Sequence, residues 1–426
     1  MKFVIQKQNR EGGSALMVTL FVTTTLLIGI GSYLLLVRAQ YVSVARSQAW
    51  NGAMTMAESG AEEALAQLNP GASVAVPVID RTANGWGAPS GGFYGPVSRA
   101  VTNSGSYSVV FSDVTYPIIY STGYVTVPNL SATLTRVIQV ATTNVPLYNV
   151  AMAARTNIDL NGNGPSANSF NSALTNLSYD GRYTNTMTAS NGDVAVLYGT
   201  LDLGNHDILG DVYLGPTATL NKGTNQVYGT VNTDYTYDFP DVIPPDTTGW
   251  FTLYTPATNT LAPDGNLYTY VFTNNADYVV PNMSGSVYVG TNAHVRLLVQ
   301  SGGTQAILVA GNGAPVDSKL IIYIASPTFT IGSGTIDGGR AANLAYYGLT
   351  NNTAINFSGN AAFTGTIYAP DAAVTLTGGG SNDYDFVGSL IAKSIKLNGH
   401  FQFHFDEDLL AHGPTRGYTA VRWAEL

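Results

Sequence analysis

From Ser14 to Val37 the sequence contains no Asp, Glu, Lys or Arg. About 20 predominantly apolar residues let a helix cross a bilayer, so this run is long enough to span one. It is longer than the apolar core of roughly 7–15 residues in a cleaved secretion signal, and no small-residue cleavage site follows it. Lys2, Lys7 and Arg10 precede the run, and these charges predict an N-terminus on the cytoplasmic side. The sequence therefore predicts a helix that spans the membrane.

The helical pattern continues beyond the apolar run. Small and apolar residues recur at spacings of three and four, which is typical of an amphipathic helix. They are Ala53, Met54, Ala57, Ala61, Ala64, Leu65 and Leu68. Asn69-Pro70-Gly71 then forms a helix stop. We expect one helical segment over residues 14–70, whose first half lies in lipid and whose second half needs a partner surface.

This N-terminal segment resembles that of the type IV pilin superfamily. The likeness lies in the basic leader, the Gly-Gly pair and the apolar-then-amphipathic helix, and "MAESGAEEALAQL" (Met56–Leu68) resembles the PilX-type minor pilins. It implies that a prepilin peptidase removes residues 1–13 by cutting between Gly13 and Ser14, and that other pilin-like subunits are partners. Major pilins usually carry Glu as the fifth mature residue, whereas Val18 stands there. That departure points to a rare or terminal subunit; a simple signal-anchor helix is the alternative.

Three strand-like runs follow within residues 71–148, quoted as "GSYSVVFSDV", "PIIYSTGYVTV" and "ATLTRVIQVATT". They alternate, are rich in β-branched residues and are separated by turn residues, which predicts a small antiparallel sheet. Such a sheet would cover the amphipathic half of the helix, as in a pilin head. Residues 71–97 are expected to form a loop that Trp86, Phe93 and Tyr94 fix to the sheet.

Composition limits the class of protein. Charged residues are 11% of the chain, hydrophobic residues are 45%, and there are 46 glycines, which favours a mainly β structure with many turns over disorder. The net charge of −9, with few Lys and Arg after Pro70, argues against a nucleic-acid partner. The absence of Cys excludes disulfides, zinc–thiolate sites and thiol catalysis.

Residues 149–415 contain recurring apolar-x-apolar pairs beside Gly, Ser or Asn turns. Ile355, Val374 and Ile395 each begin such a pair and follow one another at 19 and 21 residues. The other pairs are Ile158/Leu160 and Phe329/Ile331, with Leu203 and Leu220 as a further repeat of 17 residues. A spacing near twenty predicts a right-handed β-solenoid with stacked coils, and a β-sandwich is the alternative. We expect residues 416–426 to cap the coils or to pack back along them.

Two long segments do not repeat, Gly164–Thr188 and Tyr235–Pro256, and long loops in compact domains are usually functional or flexible. Roughly from Asn149 onward, the chain also resembles a widespread uncharacterised domain that follows pilin-like N-termini in bacterial envelope proteins. "FTGTIYAPDAAVTLTGGG", "DFVGSLIAKSIKLNGHFQFHFDEDL" and "GPTRGY" carry that likeness. It implies fold and compartment, but no activity.

Two polar stretches are candidate metal sites. In "GHFQFHFDED", alternation along a strand places His400, His404 and Asp406 on one face, where zinc would still need a further ligand. We expect that face to be solvated, with the Phe residues between them in the core. In "GGGSNDYDF", Asp383 and Asp385 could bind calcium in a Gly-rich turn. No metal or cofactor is assigned, and calcium stays an open candidate.

A catalytic role is not expected. Several Asp residues lie close in sequence, but the companion elements of a pectin-hydrolase signature are missing and basic residues for acidic sugars are scarce. The sequence favours a non-enzymatic minor-pilin-like or pseudopilin-like protein that presents an acidic solenoid for assembly, adhesion or secretion. It would sit in the bacterial inner membrane with its bulk periplasmic, or outside on a filament, and a surface polysaccharide is a candidate partner. A polysaccharide-acting enzyme and a self-polymerising scaffold are the alternatives.

Overall fold

The structure is a computed structural model in which the chain divides into two compact units. The described residues of the first unit lie within 12–67, 84–143 and 419–426, and nearly all of the second lies within 144–418. The structure describes residues 12–69, 84–102, 105–128, 130, 132–160, 166–224, 226–237, 239–310, 318–332, 334–358, 362–377, 384–398 and 401–426.

The first unit begins with one continuous 57-residue helix, α1 (Gly12–Leu68). Within its apolar half the threonine hydroxyls bond back to the helix, for example Thr23 to the Thr19 carbonyl at 2.8 Å, so they add no unsatisfied donor to the apolar surface. By length and composition α1 can cross a membrane, and none of its most apolar window is buried by the protein. The single long helix expected from the sequence is confirmed.

An antiparallel sheet follows the helix in order β1 (Phe93–Ala100), β2 (Gly105–Ser112), β3 (Ile118–Thr126) and β4 (Thr133–Pro146). Strands β2 to β4 are the three runs predicted from alternation. The loop predicted over residues 71–97 is wrong from Phe93 onward, because Phe93, Tyr94 and Val97 pair with β2. The aromatic contacts were foreseen: the rings of Trp86 and Tyr94 lie 4.9 Å and 5.0 Å from that of Phe111.

The C-terminal half of α1 packs on this sheet through a ridge of small residues. The buried ridge consists of Ala45, Ala49, Ala53, Ala57, Ala61 and Ala64. Two glycines let the surfaces approach closely. A Cβ on Gly123 of β3 would lie 2.0 Å from the Ala53 carbonyl oxygen, and one on Gly60 would lie 2.8 Å from the Tyr107 ring. Glu63 fixes the far end of the contact, because its carboxylate accepts hydrogen bonds from Arg99, at 2.8 Å, and from the Tyr107 hydroxyl.

The second unit is built on a 23-stranded sheet whose paired strands run parallel. Its strands, with the hairpin β14–β15, are β5 (Met152–Ala154), β6 (Ile158–Asp159), β7 (Ala167–Phe170), β8 (Val194–Val196), β9 (Thr200–Asp202), β10 (Val212–Leu214), β11 (Thr219–Asn221), β12 (Val231–Asn232), β13 (Phe251–Thr252), β14 (Thr260–Leu261), β15 (Leu267–Tyr268), β16 (Tyr270–Phe272), β17 (Ala276–Val280), β18 (Ser286–Val289), β19 (His294–Val299), β20 (Gly303–Thr304), β21 (Ala306–Val309), β22 (Lys319–Ile324), β23 (Thr328–Ile331), β24 (Ile336–Asp337), β25 (Leu344–Gly348), β26 (Ala354–Ser358), β27 (Phe363–Thr377), β28 (Tyr384–Leu397) and β29 (Phe401–Asp406). A 3₁₀ turn (Ala341–Asn343) and the short helix α2 (Leu409–His412) complete the unit.

The pairings form three rows of neighbouring strands. Row 1 is β12-β10-β8-β5-β28-β27-β25-β22-β19-β17-β13. Row 2 is β11-β9-β6-β28-β27-β26-β23-β20. Row 3 is β7-β29-β28-β27-β24-β21-β18-β16. The long strands β27 and β28 contribute to all three rows, since each bends from one row into the next.

The apolar pairs predicted from the repeat lie side by side in row 2. Phe329 is opposite Ile355, Ile355 opposite Val374, and Val374 opposite Ile395. One prediction is wrong by two residues, because Leu220 pairs with Leu201 and not with Leu203. Leu201 and Leu203 are both fully buried, so the local pattern does not decide which of them pairs with Leu220.

The order of strands in space departs from their order in the chain. Ile158, in the first strands of the unit, lies between Ile395 on one side and Leu201 on the other. The chain thus enters the stack in its interior, extends it in one direction as far as β12, and then returns to the opposite end at β13.

The return is made by the segment Tyr235–Trp250, within the stretch expected to be functional or flexible. Phe239 and Val242 are buried on the outer side of row 1 among residues such as Tyr368. The Tyr368 hydroxyl donates to the Pro240 carbonyl at 2.7 Å. The Arg155 guanidinium donates to Asp241 at 2.9 Å and, at 2.6 Å, to Asp371, which lies where β27 bends from row 1 into row 2. This crossover segment therefore covers and fastens row 1.

The final strand, β30 (Thr415–Glu425), is the fifth strand of the antiparallel sheet, beside β4. The Leu426 amide donates to the Val137 carbonyl at 3.0 Å, and Arg136 forms an ion pair with Glu425. The expectation that residues 416–426 cap the coils is therefore corrected. Pairing with β4 satisfies the backbone groups of β30 that face that strand, and Trp423 is 47% exposed.

Candidate functional site

The apolar half of α1 is the most exposed hydrophobic surface of the described chain. Its side chains are between about half and three-quarters exposed, as for Leu16 at 73%, Val18 at 59% and Leu27 at 67%. A continuous apolar surface of this size marks a membrane or protein interaction site. Gly13 and Ser14 lie in the first turn of α1, so the bond expected to be cut is at the start of this surface. Cleavage there stays a prediction.

His404 of β29 is fully buried and contacts polar groups on three sides. Its Nδ1 is 2.6 Å from Asn168 Oδ1, and its Nε2 is 3.2 Å from Asp385 Oδ1. The ring of Tyr183 stacks on the imidazole with centroids 3.5 Å apart. Both ring nitrogens face oxygen acceptors, which favours the doubly protonated ring, but burial lowers the pKa of His404. The contacts at both ring nitrogens and the stacked Tyr183 ring hold the imidazole in place, so neither nitrogen is free to act as a ligand or base.

Asp406, two residues further along β29, is 1% exposed. One carboxylate oxygen accepts hydrogen bonds from the backbone amides of Ser172, at 3.0 Å, and Asp408, at 3.1 Å. Its Oδ2 has no hydrogen-bond partner within the described residues. Burial raises the pKa of Asp406 to about 6, since the charged form is poorly solvated there.

The structure brings together only part of the sequence-predicted metal sites. His404 and Asp385 are in contact, whereas His400 and Asp383 lie outside the described residues. The expectation of a solvated face on β29 is wrong: His404 and Asp406 are buried, because Tyr183 and the backbone of Ser172 cover them. Across the described residues, no group of three or more His, Asp or Glu side chains is placed to hold a metal ion.

A pocket of about 200 Å³ lies beside His404, lined by Phe170, Tyr183, Arg182, Asp337 and Asp385 among others. Arg182 pairs with Asp337 at 3.0 Å, and Asp337 also accepts from the Gly339 amide at 2.8 Å. Sequence reasoning missed Arg182 and Asp337, because no motif links residues so far apart. Both carboxylates of the pocket are engaged by basic partners, so neither is poised as a general acid or base.

The stability of the second unit should depend on the pH through Asp406. Its folded pKa of about 6 exceeds the ordinary value of 3.8, so the folded state binds the proton more tightly. The contribution of Asp406 to stability is therefore present below about pH 4 and lost as the pH rises through 6, with a total of roughly 3 kcal/mol. Between about pH 5 and pH 8 roughly half of this total should be lost, which denaturant unfolding of the full chain in detergent measures.

The matched variant is Asp406→Asn, which keeps an acceptor oxygen but cannot ionise. Its unfolding free energy should change less between the two pH values than that of the wild type. His404 acts in the opposite direction in both proteins, because its lowered pKa removes stability as the pH falls below 6.5, so the comparison cancels its effect. An identical pH dependence of the two proteins would contradict this role for Asp406.

Comparison with known proteins gives a partial match. Residues 255–412 match a family model described as a domain of unknown function, DUF7305. This span begins after the crossover segment and holds β14 to β29. No curated protein matches the chain. A similar solved structure is the competence-associated pilin ComZ from Thermus thermophilus, at 11% identity over 89% of this chain and 98% of that chain, with a TM-score of 0.23. That TM-score is too low to support an argument about fold or function.

Proposed function

We propose that this chain is a non-enzymatic, pilin-like protein of the bacterial envelope. The observation that carries the proposal is the division of α1: one continuous helix has a bare apolar half and an alanine ridge buried on an antiparallel sheet. The bare half fits a bilayer before assembly and the helices of other pilin-like subunits afterwards. The bulk of the chain is then periplasmic, or extracellular on a filament.

The finer assignment is to a minor pilin or pseudopilin. Val18 stands where a shaft subunit would carry an acidic side chain, and the helix around it is apolar on all sides. A large second unit would also crowd a closely repeating shaft. We therefore place this chain among rare or terminal subunits, which a prepilin peptidase processes between Gly13 and Ser14.

We further propose that the three rows of the second unit are the faces of a right-handed β-solenoid over residues 149–415. Parallel neighbours in register, bends between rows within β27 and β28, and a continuous apolar interior support this arrangement. The solenoid presents an outer surface for adhesion, assembly or secretion. We assign it no cofactor; the carboxylates Asp337 and Asp385 contact Arg182 and His404.

The mature N-terminus tests this function. In a host that makes a prepilin peptidase, intact-mass and N-terminal peptide analysis of the membrane fraction should show a chain that begins at Ser14. The variant Gly13→Leu should keep residues 1–13, because the peptidase cuts after a small residue, whereas Gly12→Ala should be processed normally. A wild-type chain that still begins at Met1 in this host would refute the pilin route.

A further inference from the structure

A second pocket, of about 500 Å³, opens on the outer side of row 1 near its β13 end. Its polar lining comes mainly from β17, β19 and β22, and Phe251 of β13 stands at its edge. The side chains that matter are Phe251, Asp277, His294, Arg296 and Lys319. The pilin-like role described above assigns no ligand to this pocket.

Strand alternation explains why polar groups gather there. In β19, Val295, Leu297 and Val299 are buried in the apolar interior, so His294 and Arg296 point outward. The parallel register then places Asp277 opposite Arg296, and Lys319 opposite His294. Among the described residues, the basic side chains His294, Arg296 and Lys319 thus share one patch with the carboxylate of Asp277.

Arg296 is satisfied within the protein. Its guanidinium donates to both carboxylate oxygens of Asp277, at 2.7 Å and 2.6 Å, and lies over the Trp250 ring at 5.1 Å. The pair is therefore neutral and rigid. It forms one wall of the pocket and leaves the remaining charge to Lys319.

Lys319 has no ion pair or side-chain hydrogen bond among the described residues, although it is partly buried. Burial lowers the pKa of its ammonium group, which shows that the site disfavours an uncompensated charge. The chain has 18 Lys and Arg against 27 Asp and Glu, so acidic partners for a lysine are plentiful elsewhere. A cation inside a concave site, with no partner among the described residues, points to an anion that arrives from outside.

Phe251 supplies a second, different kind of contact. Its side chain is 71% exposed, and that of nearby Tyr254 is 72% exposed. A flat apolar ring beside a polar pocket matches a ligand with an apolar face and polar edges, as a pyranose ring has. The pocket volume of about 500 Å³ lies within the range of small-molecule binding sites.

We propose that this pocket binds an acidic polysaccharide through a carboxylate-bearing sugar. Lys319 pairs with the uronate carboxylate of one sugar. Phe251 lies three strands away in row 1, so it stacks on a neighbouring sugar of the same polysaccharide. The Arg296–Asp277 pair forms the polar wall that hydrogen-bonds hydroxyl groups. The proposal does not depend on the pilin-like role, because binding is a property of the second unit alone.

Calorimetric titration of the full chain in detergent with tetragalacturonate tests the site. We expect binding of tetragalacturonate that weakens with added salt, weaker binding of monomeric galacturonate, and none of neutral maltotetraose. Lys319→Met, which keeps the length of the side chain, should weaken binding by about tenfold or more. Phe251→Ala should weaken tetragalacturonate binding, and the matched control Lys222→Met, at an exposed lysine of the same unit, should leave it unchanged.

Three outcomes would overturn the proposal. The first is a wild-type chain that does not bind tetragalacturonate, and the second is equal binding by wild type and Lys319→Met. The third is displacement by inorganic phosphate or an acidic peptide at concentrations below that of the sugar, which would assign the site to another anion. Circular dichroism checks the folding of each variant. Lys319→Arg keeps the positive charge, so it should bind tetragalacturonate even if Lys319→Met does not fold.

Discussion

Replacing Gly123 by valine is expected to separate α1 from the antiparallel sheet. The first added carbon would lie 2.0 Å from the Ala53 carbonyl oxygen and 2.5 Å from the Ala57 amide nitrogen. Both atoms belong to the helix backbone, so relief requires the whole helix to move away and to expose the alanine ridge. Overpacking of this severity costs about 3 kcal/mol. Hydrogen exchange measured by mass spectrometry should show faster exchange in β3 and in residues 45–64.

Gly52→Ala is the matched control for Gly123→Val. Gly52 lies in the same helix–sheet contact, but the nearest atom to its added Cβ would be a Val125 methyl at 3.5 Å, an ordinary contact. Alanine is also the better helix former, by about 1 kcal/mol. Exchange in this variant should be unchanged or slower. Wild-type exchange in Gly123→Val would show that the helix and the sheet do not pack as described.

Phe386→Ala is expected to destabilise the second unit by about 4 kcal/mol, because it removes a large, fully buried side chain from the interior. The Phe386 ring stacks between those of Phe363 and Phe403, with centroids 4.6 Å and 5.0 Å away. These three residues are neighbours in row 3, so a cavity at the middle one removes contacts on both sides. Denaturant unfolding at neutral pH measures the loss.

The control for that loss is Phe251→Ala, which removes the same side chain from an exposed position. A surface change of this kind should alter the unfolding free energy by less than about 0.5 kcal/mol. Similar losses for the two variants would mean that Phe386 is not a core residue of row 3.

The sequence pattern was sufficient to predict strand pairing where neighbouring strands carry the same apolar repeat. The apolar-x-apolar pairs predicted the row 2 ladder from Phe329 to Ile395, because parallel strands with a buried face must align like with like. The stripe of alanines predicted the buried face of α1 for the same reason. The period of the apolar residues shows which side chains point inward, and their burial then determines which face of the helix or strand packs against its neighbour.

The same patterns could not reveal which strands are neighbours when the strands are far apart in the chain. Ile158 and Ile355 have equivalent local sequences, yet only Ile158 completes the stack beside Ile395. The choice depends on the crossover segment, whose Phe239 and Val242 follow no period. The pairing of β30 with β4 was missed in a similar way, since no local pattern links two segments so far apart in the chain.

Burial of His404 and Asp406 also lay beyond the sequence. Alternation placed His404 and Asp406 on the side of β29 away from Phe403, but it could not show what covers that side. The cover is Tyr183 and Ser172, in a segment with no repeat. A polar residue on the outer face of a strand is solvated only where no insertion lies over it.

The interior position of β5 and β6 in the sheet makes their pairing depend on segments near the end of the sequence. The Ser389 hydroxyl donates to the Val150 carbonyl across 239 residues, and β5 and β6 find their second neighbour only in β28. In the first unit β4 likewise waits for β30. Until these late segments are present, β4 keeps one open strand edge and the β5–β6 pair keeps another. A chain that ends before β28 keeps both open edges, which are sites for pairing with other chains.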